Sequence, residues 1–357
     1  MNLKKLKIID LFCGCGGFSA GVINAALKNE FKPEISLALD FDSEALNVYN
    51  ANFKRYTRKL LNLDIINLFP EKPNAPYTAN EKKIKKELNK IDILVAGPPC
   101  QGHSDLNNKT RRDDPRNQLY LKVIRAIEVI KPKIIIIENV ASVIHDKSQV
   151  VQESINFLKK LEYRVETVEI KANEYGIAQK RKRHLLLAVK FNMPHSIEKE
   201  LSMRKKNSIV LKDIINDIVD ECQTKQGIFY TPSLMNKDNK KRVNFLFDNE
   251  LYNLPNKYRP NCHMNNKHSY VSMYGRMKWT EPAQTITSGF GSMGQGRFVH
   301  PLRKRVITPH EAARIQGFSD DFIFTCAKKR TYLHKMIGNA VPPPIAETVT
   351  SIVLKYL

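Results

Sequence analysis

The stretch KIIDLFCGCGGFS, residues 7–19, joins an apolar run to a turn of closely spaced glycines. We interpret residues 7–12 as a short buried strand, 14–17 as a tight turn and 19–27 as a helix. In such a unit, backbone N–H groups and the helix N-terminus can bind a negatively charged ligand group. The GxGG spacing differs from the GxGxxG of dinucleotide sites, so the turn favours an adenosine-type ligand.

Further apolar runs are typical of buried strands, and helical patterns separate them. We predict strands at 35–40, 91–96, 133–137 and 184–189, and helices at 43–52, 119–130 and 150–161. Ser43 is expected to cap the first of these helices. Continuous apolar strands that alternate with helices indicate a mostly parallel sheet with both faces covered. The predicted fold class is therefore α/β.

The α/β pattern stops near residue 191, and the chain is then polar, rich in Lys and Asn and weakly periodic. A change of this kind indicates a domain boundary. We predict a larger domain over 1–191 and 330–357, and a smaller domain over 192–329 that includes a helix within 308–322. Residues 71–90 are Lys-rich and polar, and we expect an exposed loop and helix there.

The composition is strongly basic. The chain has 357 residues with 58 Lys and Arg against 36 Asp and Glu, a formal net charge of +22. Such an excess favours a polyanionic partner, nucleic acid first and an anionic membrane second. A Lys-rich proteome is the alternative explanation. Hydrophobic residues make up 42% of the chain, which is enough for a buried core.

The cysteines and the apolar runs exclude several classes of protein. The six cysteines contain no CxxC pair, so neither a zinc ribbon nor a thioredoxin-type site is indicated, and we expect no metal. Reduced thiols fit a cytoplasmic protein. No apolar run approaches the roughly 20 residues of a membrane span. Asp10 interrupts the N-terminal apolar run, which argues against a signal peptide. We expect a soluble cytoplasmic protein without membrane contact.

Several chemically capable side chains directly follow predicted strands. Asp40 ends one strand, Cys100 lies just past another and Glu138 closes a third. In open α/β sheets ligands bind outside the carboxyl ends of the strands, so these side chains should face one crevice. Pro98 and Pro99 restrict the backbone and would hold the thiol in one place. Taken singly, an ordinary strand-end acid, a buried inert thiol and a structural cap are the alternatives.

Six motifs resemble, in the same order, those of the DNA (cytosine-5)-methyltransferase family of bacterial restriction-modification systems. They are DLFCGCGGFS at 10–19, GPPCQG at 97–102, ENV at 138–140, QKRKR at 179–183, TPHEAARIQGFSDDF at 308–322 and IGNAVPP at 337–343. The combination of GPPCQ with a downstream ENV and IGNAVPP is highly specific. Residues 191–280 match no motif, and in the family this part carries the variable target-recognition region.

The resemblance implies a Rossmann-like, S-adenosylmethionine-dependent methyltransferase domain and a smaller target-recognition domain. The implied reaction transfers a methyl group to carbon 5 of a cytosine within a short specific sequence of double-stranded DNA. The thiolate of Cys100 would add to carbon 6 and make carbon 5 nucleophilic. Glu138 would bind N3 and the exocyclic amine, Arg183 would bind O2, and Arg181 would lie near the thiol and the DNA backbone. The target base must be flipped out of the duplex first.

The implied cofactor site draws on four parts of the chain. Its residues are Phe12, Gly14, Gly16, Gly17 and Phe18 of the glycine turn, Asp40, Phe41, Asp64 and Ile65 near the next strands, Pro99 and Leu119 on either side of the Cys100 loop, and Asn339 and Ala340 of the terminal motif. Asp40 stands where the family more often has glutamate, which shortens the reach to the ribose. His103 stands where phenylalanine is usual, which bears on closure of the loop.

The loop at 101–118 is expected to close on DNA. The residues implied as DNA contacts are Gln101, Ser104, Arg111, Arg112, Arg116, Gln179 and Arg297. Phosphate contacts would make the affinity depend on salt, and base contacts from the variable domain would give sequence choice. The family setting implies a cognate restriction endonuclease that acts on the same site, and a monomer is the default.

Three other functions compete with this one. A tRNA cytosine-5 methyltransferase is disfavoured because that branch typically carries Cys-Phe-Thr, and no cysteine here precedes phenylalanine. A non-enzymatic DNA-binding relative is disfavoured because such proteins tend to lose the Pro-Cys or Glu-Asn-Val residues, which are present here. A Rossmann oxidoreductase is disfavoured by the GxGG turn and by the pairing of a thiol with a glutamate.

Overall fold

The computed structural model describes residues 3–99, 118–145, 149–264 and 272–357. Within these ranges the chain forms two compact units, each assembled from separate segments. Unit 1 comprises Met1–Lys171, Lys182–Lys205 and Val341–Leu357, and unit 2 comprises Ala172–Arg181 and Lys206–Ala340. These bounds differ from the expected domains, because 172–181 and 330–340 pack within unit 2 whereas 192–205 pack within unit 1.

The strands are two to ten residues long. In chain order they are β1 Lys4–Leu11, β2 Phe31–Asp40, β3 Leu60–Asn62, β4 Ile93–Ala96, β5 Ile134–Val140, β6 Arg164–Lys171, β7 Gln179–Lys180, β8 Lys182–Val189 and β9 Ala283–Gln284. The strands β7 and β9 form a small parallel pair in unit 2. The other strands form one sheet in unit 1 with the order β3-β2-β1-β4-β5-β8-β6.

The sheet of unit 1 is mostly parallel, as predicted. Strand β8 is the exception, because it lies antiparallel between β5 and β6. From β1 the chain adds β2 and β3 on one side, and β4 and β5 lie on the other side. The strand order therefore reverses between β1 and β4. Ligands bind at the carboxyl ends of the strands at such a switch point.

Most helices of unit 1 lie between its strands, and unit 2 contains the helices from α8 to α13. In chain order they are α1 Gly17–Lys28, α2 Ser43–Phe53, α3 Ile65–Leu68, α4 Ala79–Glu87, α5 Gln118–Ile130, α6 Val150–Lys160, α7 Ile197–Ser202, α8 Leu211–Ile215, α9 Glu221–Thr224, α10 Lys237–Asp248, α11 Asn261–Met264, α12 Pro309–Ile315, α13 Arg330–Asn339 and α14 Pro343–Leu354. The expected cap of α2 was wrong by one position. The side chain of Asp42, not Ser43, accepts hydrogen bonds from the first backbone N–H groups.

Burial in the core of unit 1 explains why its central strands are continuous apolar runs. All of β4 and the isoleucines of β5 are buried. Helix α1 packs closely against α14, and a Cβ atom at Gly21 would lie 2.4 Å from the carbonyl oxygen of Pro343. A glycine is needed for so close an approach of two backbones. Burial of apolar surface on both faces of the sheet is the main force that stabilises this unit.

The Lys-rich segment at 71–90 is anchored more firmly than expected. Its lysines are exposed, but Glu81 of α4 is fully buried. Arg125 of α5, also fully buried, donates to both carboxylate oxygens of Glu81 at 2.8 Å and to Glu128 at 2.8 Å. A buried charge needs such pairing to offset the loss of its hydration. The insertion is thus attached to the core by an ion-pair network.

Unit 2 has a small apolar core of its own. It consists of Val243, Leu246, Leu254, Tyr274, Met293, Val299 and Val306. Helix α12 begins with a capping box, in which Thr308 and Glu311 each bind the other's backbone N–H. Across the described ranges, no helix is long and apolar enough to cross a membrane.

Candidate active site

The glycine turn after β1 contains residues in the left-handed backbone region, with φ values of 60° at Phe12, 53° at Gly14 and 99° at Gly16. A Cβ atom at Gly16 would lie 2.1 Å from the ring of Phe53, so this glycine is required by packing. A Cβ atom at Gly14 would have no neighbour within 4 Å among the described residues. The space beside Gly14 is therefore open, as a ligand site in this turn requires.

Asp40 connects the end of β2 to the glycine turn. Its Oδ2 atom accepts a hydrogen bond from the backbone N–H of Gly14 at 2.9 Å, and Oδ1 accepts one from Asp42 at 2.9 Å. The residue is only 8% exposed. A carboxylate can accept about four hydrogen bonds, so this engagement is compatible with a further donor such as a ribose hydroxyl.

A buried polar network lies beneath the turn. The hydroxyl of Ser19 donates to Oδ2 of Asp10 at 2.7 Å and lies 2.7 Å from the hydroxyl of Tyr49. Oδ1 of Asp10 has no hydrogen-bond partner among the described residues. Burial raises the pKa of Asp10 to about 7, and the nearby charge of Asp40 adds to the rise while Ser19 opposes it. Asp10 thus ties β1 to α1 through its buried hydrogen bond with Ser19.

The other cofactor candidates of unit 1 lie close to the carboxyl ends of the same strands. Phe41 follows β2 and is 61% exposed. Asp64 caps α3, and its Oδ1 accepts from the backbone N–H of Ile66 at 3.0 Å. Phe18, next to Gly17 at the start of α1, and Ile65 are buried, whereas Pro99 and Leu119 are half-buried. An exposed ring, strand-end carboxylates and an open glycine turn together fit an adenosine-type ligand.

Glu138 and Arg183 form an ion pair near the end of β5. The pairing of β5 with β8 sets Glu138 opposite Leu185, so Arg183 is its diagonal neighbour on the same face. Nε of Arg183 lies 2.7 Å from Oε1 of Glu138, with the two side chains 13% and 10% exposed. The N–H is poorly aligned, and this buried oxygen has no hydrogen bond among the described residues. The carboxylate is held by charge and retains capacity for a polar ligand.

Asn139 ties this strand end to the Pro98–Pro99 segment. Its Oδ1 accepts from the backbone N–H of Val140 at 2.7 Å, and its Nδ2 donates to the carbonyl oxygen of Pro98 at 3.5 Å. The first contact is strong and the second is long for a hydrogen bond. Asn139 therefore helps to position the backbone that leads toward Cys100.

The motif at 179–183 is divided between the two units. Gln179 and Arg181 belong to unit 2 and are 0% and 2% exposed, whereas Arg183 belongs to unit 1. Arg181 donates to the carbonyl oxygens of Gly338 at 3.2 Å and Ala340 at 3.3 Å, which flank Asn339 at the end of α13. Within unit 2, Gln179 and Arg181 are thus brought to the terminal motif.

The remaining site candidates from the sequence are Cys100 with the loop residues, and Arg297 of unit 2. Cys100 and the loop candidates Gln101, Ser104, Arg111, Arg112 and Arg116 fall outside the described residues. Arg297 donates to the carbonyl oxygens of Tyr252 at 2.9 Å and Arg276 at 3.0 Å and to Asn253 at 2.5 Å. Burial lowers the pKa of this guanidinium. Contact between Arg297 and DNA remains a prediction.

Sequence reasoning missed the roles of Asp10, Asn139 and Gln316. An acid inside an apolar strand was a usable signal for Asp10, because such a residue must be hydrogen-bonded or protonated. Asn139 was noted only as the middle residue of the ENV motif at 138–140, without a role of its own. Gln316 lies within the motif at 308–322, but its partners, Gln179 and the carbonyl oxygen of Ile337, come from distant parts of the chain and could not be inferred.

Comparison with known proteins identifies the family. Residues 6–355 match the family described as C-5 cytosine-specific DNA methylase. The chain is 44% identical over 346 residues to the Type II methyltransferase M1.BsuMI of Bacillus subtilis (strain 168), covering 97% of this chain and 80% of that relative. It is 30% identical to the Type II methyltransferase M.NgoPII of Neisseria gonorrhoeae, covering 99% and 96%.

The solved structures agree on the fold. The Dnmt2 methyltransferase of S. pombe superposes with a TM-score of 0.67 at 17% identity, covering 99% of this chain and 98% of that one. A putative DNA modification methyltransferase encoded within an E. coli prophage gives a TM-score of 0.65 at 24% identity, covering 98% and 99%. With a family match over nearly its whole length, the chain belongs to the C-5 cytosine-specific DNA methylase family and is a DNA (cytosine-5-)-methyltransferase.

Proposed function

We propose that the enzyme methylates carbon 5 of a flipped-out cytosine within a short specific sequence of double-stranded DNA. S-adenosylmethionine supplies the electrophilic methyl group and leaves as S-adenosylhomocysteine. The residues proposed to bind it are those around the glycine turn, β2 and α3, with Pro99, Leu119, Asn339 and Ala340. The open space at Gly14, the exposed ring of Phe41 and the carboxylates of Asp40 and Asp64 support this assignment.

The proposed step begins with the thiolate of Cys100, which forms a bond to carbon 6 of the ring. Electron density then moves to carbon 5, which takes the methyl group. Loss of the carbon 5 proton to a base, for which water is a candidate, restores the double bond. The bond from sulfur to carbon 6 breaks in the same step, and the thiolate is released.

One observation carries the proposal among the described residues, namely the Glu138–Arg183 pair. Glu138 is held at a strand end by the guanidinium, with a buried oxygen that has no hydrogen bond there. A carboxyl in this position can bind N3 and the exocyclic amine of cytosine, while Arg183 binds O2. Hydrogen bonds made in a site that excludes water favour charge build-up on the ring as carbon 6 is attacked.

The remaining partners follow from the same proposal. Gln101, Ser104, Arg111, Arg112 and Arg116 would contact DNA from the loop, and unit 2 would supply sequence choice. The relatives named Type II methyltransferases support a restriction-modification setting, with a cognate endonuclease that cuts the same site. We propose a monomeric cytoplasmic enzyme.

The first experiment is base-resolution methylation sequencing of unmethylated mixed-sequence DNA after incubation with the protein and S-adenosylmethionine. Modification of cytosines within one short motif is the expected result, and it would also supply the recognised sequence. A folded protein that leaves DNA unmodified but methylates tRNA would overturn the proposal.

Replacement of the nucleophile tests the covalent step. Cys100→Ala should lose all turnover while the protein still folds and binds S-adenosylhomocysteine. A duplex with 5-fluorocytosine at the target should trap the wild-type protein covalently, because fluorine cannot leave carbon 5 as a proton does. Methylation by correctly folded Cys100→Ala protein would refute the assignment of the thiol.

A further inference from the structure

The C-terminus of α13 lacks the usual backbone cap. The last carbonyl groups of a helix have no partner within the helix, and a left-handed glycine commonly satisfies them. Here the capping residue is Ala340 in an extended conformation, with φ −60° and ψ 142°, and its backbone N–H donates only to the carbonyl oxygen of Ile337, at 3.3 Å. Side chains supply the further hydrogen bonds to the last carbonyl groups of this helix.

Two side chains from distant segments of unit 2 supply these hydrogen bonds. Gln316, fully buried after α12, donates from Nε2 to the carbonyl oxygen of Ile337 at 2.6 Å and, more weakly, to Gly338 at 3.5 Å. Arg181 donates to Gly338 at 3.2 Å and to Ala340 at 3.3 Å. A cation at a helix C-terminus is favoured by the helix dipole as well.

Gln179 sets the orientation of Gln316. Its Nε2 donates to Oε1 of Gln316 at 2.7 Å, and its own Oε1 accepts from the backbone N–H of Ile286 at 2.9 Å. An amide has one acceptor end and one donor end, so the contact with Gln179 directs the donor end of Gln316 toward α13. A relay of two glutamine side chains thus connects Ile286 to the end of the helix.

The packing at the same place leaves little freedom. A Cβ atom at Gly338 would lie 2.3 Å from backbone atoms of Thr287 and Ser288, so α13 and the segment after β9 touch through their backbones. The relay begins next to this backbone contact, because Ile286, whose N–H binds Gln179, directly precedes Thr287. A shift of either glutamine would therefore displace the last turn of α13.

We propose that Gln179 and Gln316 are positioning residues that fix the backbone of Gly338, Asn339 and Ala340. The inference rests on the proposed function, in which Asn339 and Ala340 bind the cofactor. Gln179 then acts on cofactor affinity through Gln316 and makes no contact with DNA. Its complete burial within unit 2 supports this assignment over a phosphate contact.

The test replaces each glutamine by methionine, which has a similar size and cannot form the relay. Binding of S-adenosylhomocysteine is measured by calorimetry, and DNA binding by titration at several salt concentrations. Gln179→Met and Gln316→Met should each weaken cofactor binding about 3- to 10-fold, as expected when one buried hydrogen bond is removed. The double variant should lose less than the product of the two effects, because both act through one relay.

A matched control separates positioning from general loss of stability. Thr308→Ala removes the cap at the opposite end of α12 and should lower the melting temperature without changing cofactor affinity. DNA affinity and its salt dependence should be the same for Gln179→Met and wild type. A loss of DNA affinity in Gln179→Met that Gln316→Met does not reproduce would overturn the inference, as would a loss of cofactor affinity in Thr308→Ala. Failure of the wild-type protein to bind S-adenosylhomocysteine would instead count against the proposed function.

Discussion

Asp10 shows how one residue links the turn to the stability of the unit. Its carboxyl lies in a buried network with Ser19 and Tyr49, and burial raises its pKa to about 7. The unfolded chain releases this proton near the ordinary value of 3.8. The folded state therefore binds more protons between these two values, and stability falls as the pH rises through that window.

Asp10→Asn removes this titration. Between pH 4 and pH 7 the wild-type protein should lose stability relative to the variant, by an amount on the order of a few kcal/mol, and the difference should level off above pH 7. Urea unfolding at a series of pH values measures the change. Parallel stability curves for the two proteins would contradict a raised pKa for Asp10.

Glu138→Gln tests the substrate carboxyl. The amide keeps the shape of the side chain but cannot act as an acid, so the rate of methyl transfer should fall at least about 100-fold. Single-turnover methylation measures the rate, and binding of S-adenosylhomocysteine should not change. Glu169→Gln, at an exposed position on the edge strand β6, should behave as wild type. A comparable loss in both variants would point to a general effect on the sheet.

Individual site residues were predictable where the motif and the strand end coincide. Asp40 and Glu138 were placed at strand ends from apolar runs; Asp40 ends β2, whereas Glu138 lies two residues before the end of β5. The partners of Arg181 were not predictable, because they are carbonyl groups at Gly338 and Ala340. Such contacts depend on tertiary packing and leave no trace in the residues nearby.

Replacing glycine by alanine should have different effects at two positions of the glycine turn, Gly14 and Gly16. Gly14→Ala puts a methyl group into open space, so it should cost about 1–2 kcal/mol of backbone strain but strongly weaken binding of S-adenosylhomocysteine. Gly16→Ala meets the ring of Phe53 and should cost about 2–5 kcal/mol. Thermal unfolding and calorimetry on both variants measure the contrast. Equal destabilisation with equal loss of binding would mean that the two glycines share one role.

Strands and helices were predictable to different degrees. The central strands were identified because they are fully apolar and both of their faces are covered. Strand β6, RVETVEIK, was missed because its alternating charges resemble a surface loop, and β3 was too short to show a pattern. The antiparallel insertion of β8 between β5 and β6 could not be inferred, because the sequence of a strand does not indicate which other strands pair with it.

The charge of the whole molecule bears on how it meets DNA. The chain carries a net charge of +22. Within it, the contacts with DNA phosphate groups are proposed for the loop at 101–118. Replacing Arg111, Arg112 and Arg116 together by Ala should reduce the slope of log affinity against log salt by about 0.9 for each phosphate group that the variant no longer neutralises. DNA titrations across a range of salt concentrations measure the slope.

The matched control removes equal charge elsewhere. Lys82, Lys83 and Lys86 are exposed on α4, and replacing all three by Ala lowers the net charge by the same amount. This variant should keep the wild-type slope. If both triple variants reduce the slope equally, general charge rather than the loop governs the encounter with DNA.

The close packing of α1 against α14 has a consequence for synthesis of the protein. Gly21 and Pro343 touch through atoms that are about 320 residues apart in the chain. At translation rates of about 5–20 residues per second, α1 leaves the ribosome roughly 16 to 64 seconds before its partner. The part of α1 that packs against α14 is uncovered during this interval, so unit 1 can complete its fold only after α14 has been translated. Chaperones that bind nascent chains would have their main period of action on this protein at that part of α1.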